Sequence, residues 1–195
     1  MIDTDRIKEA EKNVQQYIQD GLLFVNKKEI SKHIHFFMKN AETSILTTKT
    51  LYEISTDNNK KQALALQDHF ETYLWVIVSA YYSMFYAALA LLAKNEIKTG
   101  DKIAHKVVAD TLITKFLQNK KLAKLLDNYE ETKETALQIT GTEQKAQTLV
   151  ENFEHERHKR HKIQYELGVN AKQNLAKTSL ERAEEFTAEI RKMIK

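Results

Sequence analysis

The sequence contains no cysteine, no proline and only four glycines among its 195 residues. All-β sandwiches and barrels need many glycine and proline turns, and doubly wound α/β folds need glycine-rich loops after their strands. So few turn-forming residues argue against both classes. The absence of cysteine excludes disulfide frameworks, cysteine-ligated zinc sites and cysteine nucleophiles, and it is compatible with a cytosolic protein.

The charge balance is almost even, with 30 basic and 27 acidic residues and a net charge of +3. That excess is too small to indicate a nucleic-acid partner by itself. The first residues, MIDTDR, are charged at once and lack the apolar stretch of a secretory signal. A hydrophobic content of 42% argues against disorder. We therefore expect a folded, cytoplasmic protein.

The longest stretch without a charged residue runs from Thr72 to Ala93. About 20 apolar residues are enough to cross a bilayer, so a membrane span is one interpretation. However, four tyrosines and two serines interrupt the stretch, and polar groups at mid-bilayer need partners. No cluster of basic residues flanks only one end, as a topology signal would. We favour the buried central helix of a bundle, with no membrane contact.

Apolar residues recur at spacings of three and four through most of the chain, which is the helical period. The four glycines, at positions 21, 100, 141 and 168, each follow such a segment, where glycine commonly ends a helix. Helices are expected over about residues 4–20, 31–54, 62–94, 103–117, 122–139, 142–167 and 172–194. No strand pattern of useful length appears. The sequence predicts an all-α, up-and-down helical bundle with appended helices.

Local signals refine this helical pattern. Ser31 is a plausible N-cap of the second helix, and the polar residues 55–61 read as an internal loop. Gly168 and Asn170 suggest a turn before the last helix. Within the long helix, Ser79 and Ser83 belong to a stripe of small residues. Such a stripe lets a neighbouring helix approach closely.

Residues 151–165, ENFEHERHKRHKIQY, hold the densest concentration of arginine and histidine. At about 100° per residue, the apolar face of the preceding helical turns continues into polar side chains. These side chains are Arg157, Arg160, His161, Gln164 and Tyr165. Polar groups on the continuation of a core face need partners, water or a ligand, because unpartnered burial costs several kcal/mol. The alternative is a helix end that leaves the core with solvated side chains.

These residue types suit phosphate or RNA chemistry. Arginine offers a fixed fork of donors for phosphate, and histidine acts as acid or base near neutral pH. We therefore predict an RNA- or nucleotide-binding site at Arg157, Arg160, His161, Gln164 and Tyr165. A metal site at His155, His158 and His161 is disfavoured, because the three fan around the helix among basic residues. No metal and no cofactor is expected.

Residues 80–92, AYYSMFYAALALL, resemble the signature helix of HEPN domains. Residues 36–53 resemble the preceding helix of that family, and His105-Lys106 the start of the next one. Residues 160–165, RHKIQY, fall where the family has its arginine motif, and residues 172–194 resemble its last helix. The resemblance covers residues 31–195. It leaves residues 1–30 as an N-terminal helical extension and an inserted helical segment around 118–145.

The resemblance implies a helical bundle that forms a homodimer. Many HEPN domains are metal-independent ribonucleases that act as toxins, often beside a nucleotidyltransferase-type antitoxin, whereas others only bind nucleotides or partner proteins. Their ribonuclease motif consists of an arginine and a histidine with four to six residues between them. Here Tyr165 stands where Arg160 would require that histidine, and only three residues separate Arg157 from His161.

On the resemblance, the expected function is binding of RNA or nucleotides. Any metal-independent ribonuclease activity would be carried by Arg160 and His161, with Arg157 and Tyr165 in support, across the homodimer. The alternative is a non-catalytic module that binds a nucleotide or a protein.

Overall fold

The computed structural model describes residues 2–140 and 168–195. The described residues form seven α-helices, one 3-10 helix and two very short strands, so the predicted all-α class is confirmed. In chain order they are α1 Thr4–Gln19, β1 Leu23–Phe24, the 3-10 helix Lys28–His33, α2 Ile34–Thr56, α3 Asn58–Ala63, α4 Tyr73–Lys94, β2 Lys98–Thr99, α5 Ala104–Phe116, α6 Lys120–Thr140 and α7 Val169–Ile194.

Helix α4 is the centre of the bundle and packs against α2, α5, α6 and α7. Its apolar residues face all directions, and Ile77, Tyr81, Met84 and Leu92 are fully buried. The helix is long and apolar enough to cross a membrane, but 78% of its most apolar window is buried inside the bundle. That burial is typical of a central core helix, as the sequence predicts.

The predicted stripe of small residues on α4 lies at its contacts with two neighbours. The Ser83 hydroxyl lies 2.9 Å from the Thr187 hydroxyl of α7 in a buried pair. On the α2 side, the hydroxyls of Ser79 and Thr48 lie 3.0 Å apart. Small side chains bring these helices close, and paired hydroxyls satisfy the polar groups that the contact buries.

The predicted loop over residues 55–61 is wrong, because the chain there is almost entirely helical. Helix α2 continues to Thr56, and α3 begins two residues later. The Asp57 carboxylate accepts from the backbone N–H groups of Asn59 and Lys60. An aspartate at this position is a good N-cap, so the polar run starts a short helix.

The long central helix begins at Tyr73, later than the predicted residue 62. The intervening link is fixed by side-chain bonds to its backbone. Lys61 is buried, and its ammonium donates a hydrogen bond to the Asp68 carbonyl at 2.6 Å. The Thr72 N–H donates to the Ser55 hydroxyl at 2.8 Å. These contacts replace the helical bonds that the apolar pattern predicts.

Two further predicted helix starts are wrong. Ser31 lies inside the 3-10 helix, and its hydroxyl donates to the Ala93 carbonyl at 3.4 Å instead of capping α2. Helix α7 begins at Val169, so Asn170 is helical and forms no turn with Gly168. By contrast, α1 begins at Thr4 as predicted, after an Asp3 carboxylate that accepts from the Arg6 N–H, and Gly21 follows the helix with φ +68°.

Candidate nucleic-acid interface

The site predicted from the sequence lies outside the described residues. Arg157, Arg160, His161, Gln164 and Tyr165 all fall between residues 140 and 168. Their binding and catalytic roles therefore stay predictions.

The described helices on either side of that segment run antiparallel. Tyr129 of α6 packs against Phe186 of α7 with ring centres 5.5 Å apart. Two residues later on α6, Glu131 pairs with Arg182, four residues earlier on α7, at 2.5 Å. Helix α6 therefore ends at the same end of the bundle at which α7 begins.

That end is also where α4 begins. Lys172, in the first turn of α7, lies 3.7 Å from the Glu71 carboxylate. The same carboxylate accepts from the Tyr73 N–H at 2.9 Å, at the first residue of α4. The described flanks of the predicted site thus lie beside the N-terminus of α4. With 1.5 Å per residue, the C-terminus of this 22-residue helix is about 33 Å away.

A second surface, at the C-terminal end of α4, carries a concentration of lysine that the sequence analysis missed. We call it the basic surface, and it consists of residues 27–39 and 94–106. The two segments are joined by a bond from the Lys27 N–H to the Glu96 carbonyl at 2.8 Å. The Ser31–Ala93 bond holds the first segment against the end of α4.

The charge of the basic surface is far from the even balance of the chain. Its two segments contain eight lysines against three acidic residues, a net +5, whereas the whole chain has +3. The remaining residues therefore sum to −2. Seven of the eight lysines are exposed, and in the described part of the chain only Lys106 has an ion-pair partner, Glu9 at 4.0 Å. Unpaired lysines on one surface are typical of a binding site for an anionic polymer.

A short antiparallel strand pair fixes the shape of this surface. Leu23 pairs with Thr99, and Phe24 pairs with Lys98. The sequence predicted no strand because each has only two residues, which is too short for a period to show. Gly100 continues the pairing by donating its N–H to the Leu22 carbonyl at 2.8 Å, and a Cβ there would meet that oxygen at 3.4 Å.

The loop from β2 into α5 is strained at one residue. Ile103 has φ +45°, and its side chain is 55% exposed at the start of α5. The left-handed region is unfavourable for a β-branched residue. Such strain persists only where the surroundings fix the backbone. The strand pair and α5, on either side of this loop, provide that constraint.

The basic surface surrounds a cavity of about 400 Å³, which we call the aromatic slot. Phe37 of α2 and Phe85 and Leu89 of α4 form its apolar walls, together with Ala104. Polar groups line the remaining side: they come from His33, on the 3-10 helix, and from residues 98–101. A mostly apolar cleft with a few polar groups at its edge is the usual form of a small-molecule site.

His105 stands next to the slot and is half-buried. Its Nδ1 lies 2.7 Å from the Tyr81 hydroxyl, and its ring is 4.5 Å from the Phe85 ring, which lines the slot. Burial, with a smaller effect from the Lys133 ammonium, lowers the pKa of His105 below its usual value. The imidazole is therefore neutral at physiological pH. These contacts with Tyr81 and Phe85 join His105 to the core.

A buried charge network holds α5, and with it one wall of the slot, in place. Asp110 of α5 has no exposed side-chain surface and pairs with Arg6 of α1 at 2.7 Å. Its other oxygen accepts from Asn13 at 2.9 Å and from the Tyr17 hydroxyl at 2.8 Å. Burial, helped by the hydrogen bond to Asp110, raises the pKa of Tyr17.

Arg6 joins the same network to α6. Burial lowers the pKa of Arg6, but the carboxylates of Glu130 and Asp110 outweigh that effect and raise it. The guanidinium also lies 3.1 Å from Glu130, which in turn pairs with Lys133. This network fixes α1, α5 and α6 relative to one another.

The remaining described histidines do not form a joint site. His33 lines the aromatic slot, whereas His35 lines a different groove beside the end of α7. His69 is exposed in the link before α4. Over residues 2–140 and 168–195, no group of three or more histidine, aspartate or glutamate side chains could hold a metal ion.

The signal for the basic surface was present in the sequence as two lysine-rich segments. Each is unremarkable alone, and only the fold brings residues 27–39 beside residues 94–106. Comparison with known proteins adds nothing to this geometry: no protein-family model, no curated protein and no solved structure matches the chain.

Proposed function

We propose that the protein binds RNA or nucleotides, and that the basic surface is the principal contact in the described part of the chain. The observation that carries this proposal is the net charge of +5 gathered around an aromatic cleft in a nearly neutral protein. A second segment of the sequence contains Arg157, Arg160 and His161. These residue types also suit phosphate or RNA binding.

Two physical terms favour such a ligand. Lysines that neutralise phosphates release condensed counterions, which supplies most of the non-specific affinity for a nucleic acid. Exposed aromatic side chains add base stacking worth about 1–3 kcal/mol per base. Phe36 is 56% exposed on the basic surface, and the slot adds the aromatic rings of Phe37 and Phe85.

The catalytic version of the proposal follows the HEPN resemblance. In it, the protein is a cytoplasmic, metal-independent ribonuclease or toxin-like component. Arg160 and His161 would act across a homodimer, supported by Arg157 and Tyr165, and a nucleotidyltransferase-type antitoxin would be the partner. Because the ribonuclease motif is incomplete, we favour binding without cleavage over the catalytic version.

Binding is tested by fluorescence anisotropy with a labelled single-stranded RNA over a range of salt concentrations. The double variant Lys32→Glu/Lys98→Glu should bind at least about tenfold more weakly at low salt. The slope of log affinity against log salt should fall by about 0.7 for each lysine that contacts a phosphate. The control Lys12→Glu/Lys124→Glu makes the same charge change on exposed lysines outside the basic surface. Equal losses in both double variants would contradict the proposal.

Catalysis is tested by incubating the purified protein with cellular RNA and a chelator. Cleavage that disappears in both Arg160→Ala and His161→Ala would support the ribonuclease. Cleavage that persists in both variants, or no cleavage by the unaltered protein, would overturn the catalytic version and leave binding as the function.

A second candidate function, protein binding, is favoured by one separate observation. Trp75 is 64% exposed and lines a cavity of about 440 Å³ between α2 and α4. On α2, Leu46 is 66% exposed. Large exposed apolar side chains around a groove are common in protein interfaces. If this face forms the expected homodimer, Trp75→Ala should shift the protein from dimer to monomer in sedimentation experiments. An unchanged mass would exclude this face from the dimer interface.

A further inference from the structure

The aromatic slot combines an apolar cleft with a carboxylate at its edge, inside a surface with a net positive charge. Asp101 lines the slot and is exposed, and no ion pair joins it to any lysine in the described ranges, although three lysines lie within five residues of it in sequence. Asp101 is the acidic residue among the lining residues of the slot, and its charge works against the binding of phosphate at this edge. A ligand group that donates hydrogen bonds would fit beside it.

We propose that the aromatic slot takes one unstacked guanine base, with Asp101 as the residue that selects it. This inference rests on the proposed binding of RNA or nucleotides and names the base that the surface prefers. A cavity of about 400 Å³ has room for a single base, and Phe37, Phe85 and Leu89 provide the apolar walls that a flat ring needs.

The choice of guanine follows from the donors and acceptors on the four bases. A carboxylate only accepts hydrogen bonds. Guanine presents two adjacent donors, its ring N1–H and its exocyclic amino group, which match the two oxygens of Asp101. Adenine and cytosine each place an acceptor beside their amino group, and uracil has one donor between two carbonyls. Those three bases would bring an acceptor against the carboxylate.

The surroundings of the slot supply the remaining contacts for a nucleotide. Lys98 lies on the same lining and is exposed, so its ammonium is available to the guanine carbonyl or to a phosphate. The Gly100 N–H is already bonded to Leu22, so this backbone is fixed before a ligand arrives. A cleft that is already formed binds with less ordering cost than one that must close.

The test uses calorimetry on the full chain with the monophosphates of guanosine, adenosine, cytidine and uridine. Guanosine monophosphate should bind at least about tenfold more tightly than adenosine monophosphate. A contact with two hydrogen bonds usually discriminates between bases by a factor of this size. Asp101→Asn should abolish that preference, and the matched control Asp68→Asn, at another exposed aspartate, should keep it. Guanosine monophosphate binding without a preference, or a preference that survives Asp101→Asn, would overturn the inference.

A second variant closes the cleft without changing any charge. Ala104→Phe fills the slot and should lower guanosine monophosphate affinity at least tenfold, with circular dichroism used to check that the variant folds. Phe37→Ala, which removes a wall, should lower it by a similar factor through lost stacking. Undiminished affinity in a folded Ala104→Phe protein would show that the nucleotide binds elsewhere and would overturn the inference.

Short RNA oligonucleotides with and without guanine separate a base within RNA from a free nucleotide. Preference for the guanine-containing strand, lost in Asp101→Asn, supports the slot as a reader of RNA. Salt-dependent RNA binding with no base preference would overturn the inference while leaving the proposed function standing. Failure of RNA and all four nucleotides to bind would remove both.

Discussion

Helix α1 and helix α7 each pack on the rest of the bundle, but through different chemistry. On the α1 side, Asp110 forms an ion pair with Arg6 and accepts hydrogen bonds from Asn13 and Tyr17. On the α7 side, Ala183, Phe186 and Ile190 are completely buried, and the polar contribution is the Ser83–Thr187 hydroxyl pair together with surface ion pairs.

This difference between α1 and α7 shows which contacts hold a helix in place when its apolar face is small. Helix α1 buries three residues, Ala10, Val14 and Tyr17, so area alone gives it a weak attachment. The buried carboxylate of Asp110 adds directional bonds that the apolar stripe lacks. Helix α7 has larger apolar side chains in the core and needs few such bonds.

The largest expected effect comes from breaking the network on the α1 side. Asp110→Ala leaves Arg6 without its buried partner and takes the acceptor from Asn13 and Tyr17. We expect the free energy of unfolding to fall by about 3–5 kcal/mol, the usual cost of breaking a buried ion pair. Urea denaturation followed by circular dichroism measures the change.

The control for Asp110→Ala is Glu131→Ala, which breaks the exposed ion pair with Arg182 of α7. Glu131 is 57% exposed, so water can replace its contact and the loss should be about 1 kcal/mol or less. Similar losses in the two variants would show that burial does not distinguish these pairs, and the contrast between the two sides would fail.

A smaller effect is expected on the α7 side. Ser83→Ala leaves the buried Thr187 hydroxyl without its partner, which costs about 1–3 kcal/mol. The double variant Ser83→Ala/Thr187→Val removes both polar groups and should recover most of that loss. A double-mutant cycle in urea measures the coupling. Strictly additive losses would show that the two hydroxyls do not stabilise each other.

The fold class was predictable because composition and the helical period act along the whole chain. The start of α1 and the glycine after it were predictable because both signals are local. The start of α4 was not, because tertiary bonds such as Lys61 to the Asp68 carbonyl override a helical pattern that the residues would otherwise continue. Ser31 illustrates the same override, since its hydroxyl bonds to a residue far along the chain.

The candidate site was less predictable than the fold. The segment with arginine and histidine stood out because its charged residues are contiguous, and it lies outside the described residues. The basic surface and the slot were missed because they join Phe37, Phe85 and Asp101 from three separate elements. Sequence spacing carries no information on such a contact until the strand pair and the ends of α2 and α4 are placed.

The smallest expected effect is a pH dependence at His105, where α5 meets α4. The folded state lowers the pKa of His105, so the unfolded chain binds a proton more readily. Stability from this group is therefore complete above the unfolded pKa of about 6.5, and it is lost as pH falls through the lower folded pKa.

His105→Gln, which does not titrate, should flatten the dependence of unfolding free energy on pH below neutrality. His69→Gln, at an exposed histidine, should leave the slope unchanged. If His105→Gln kept the slope of the unaltered protein, the acid sensitivity would belong to other groups. The contact that His105 makes between α5 and α4 would then not depend on a neutral imidazole.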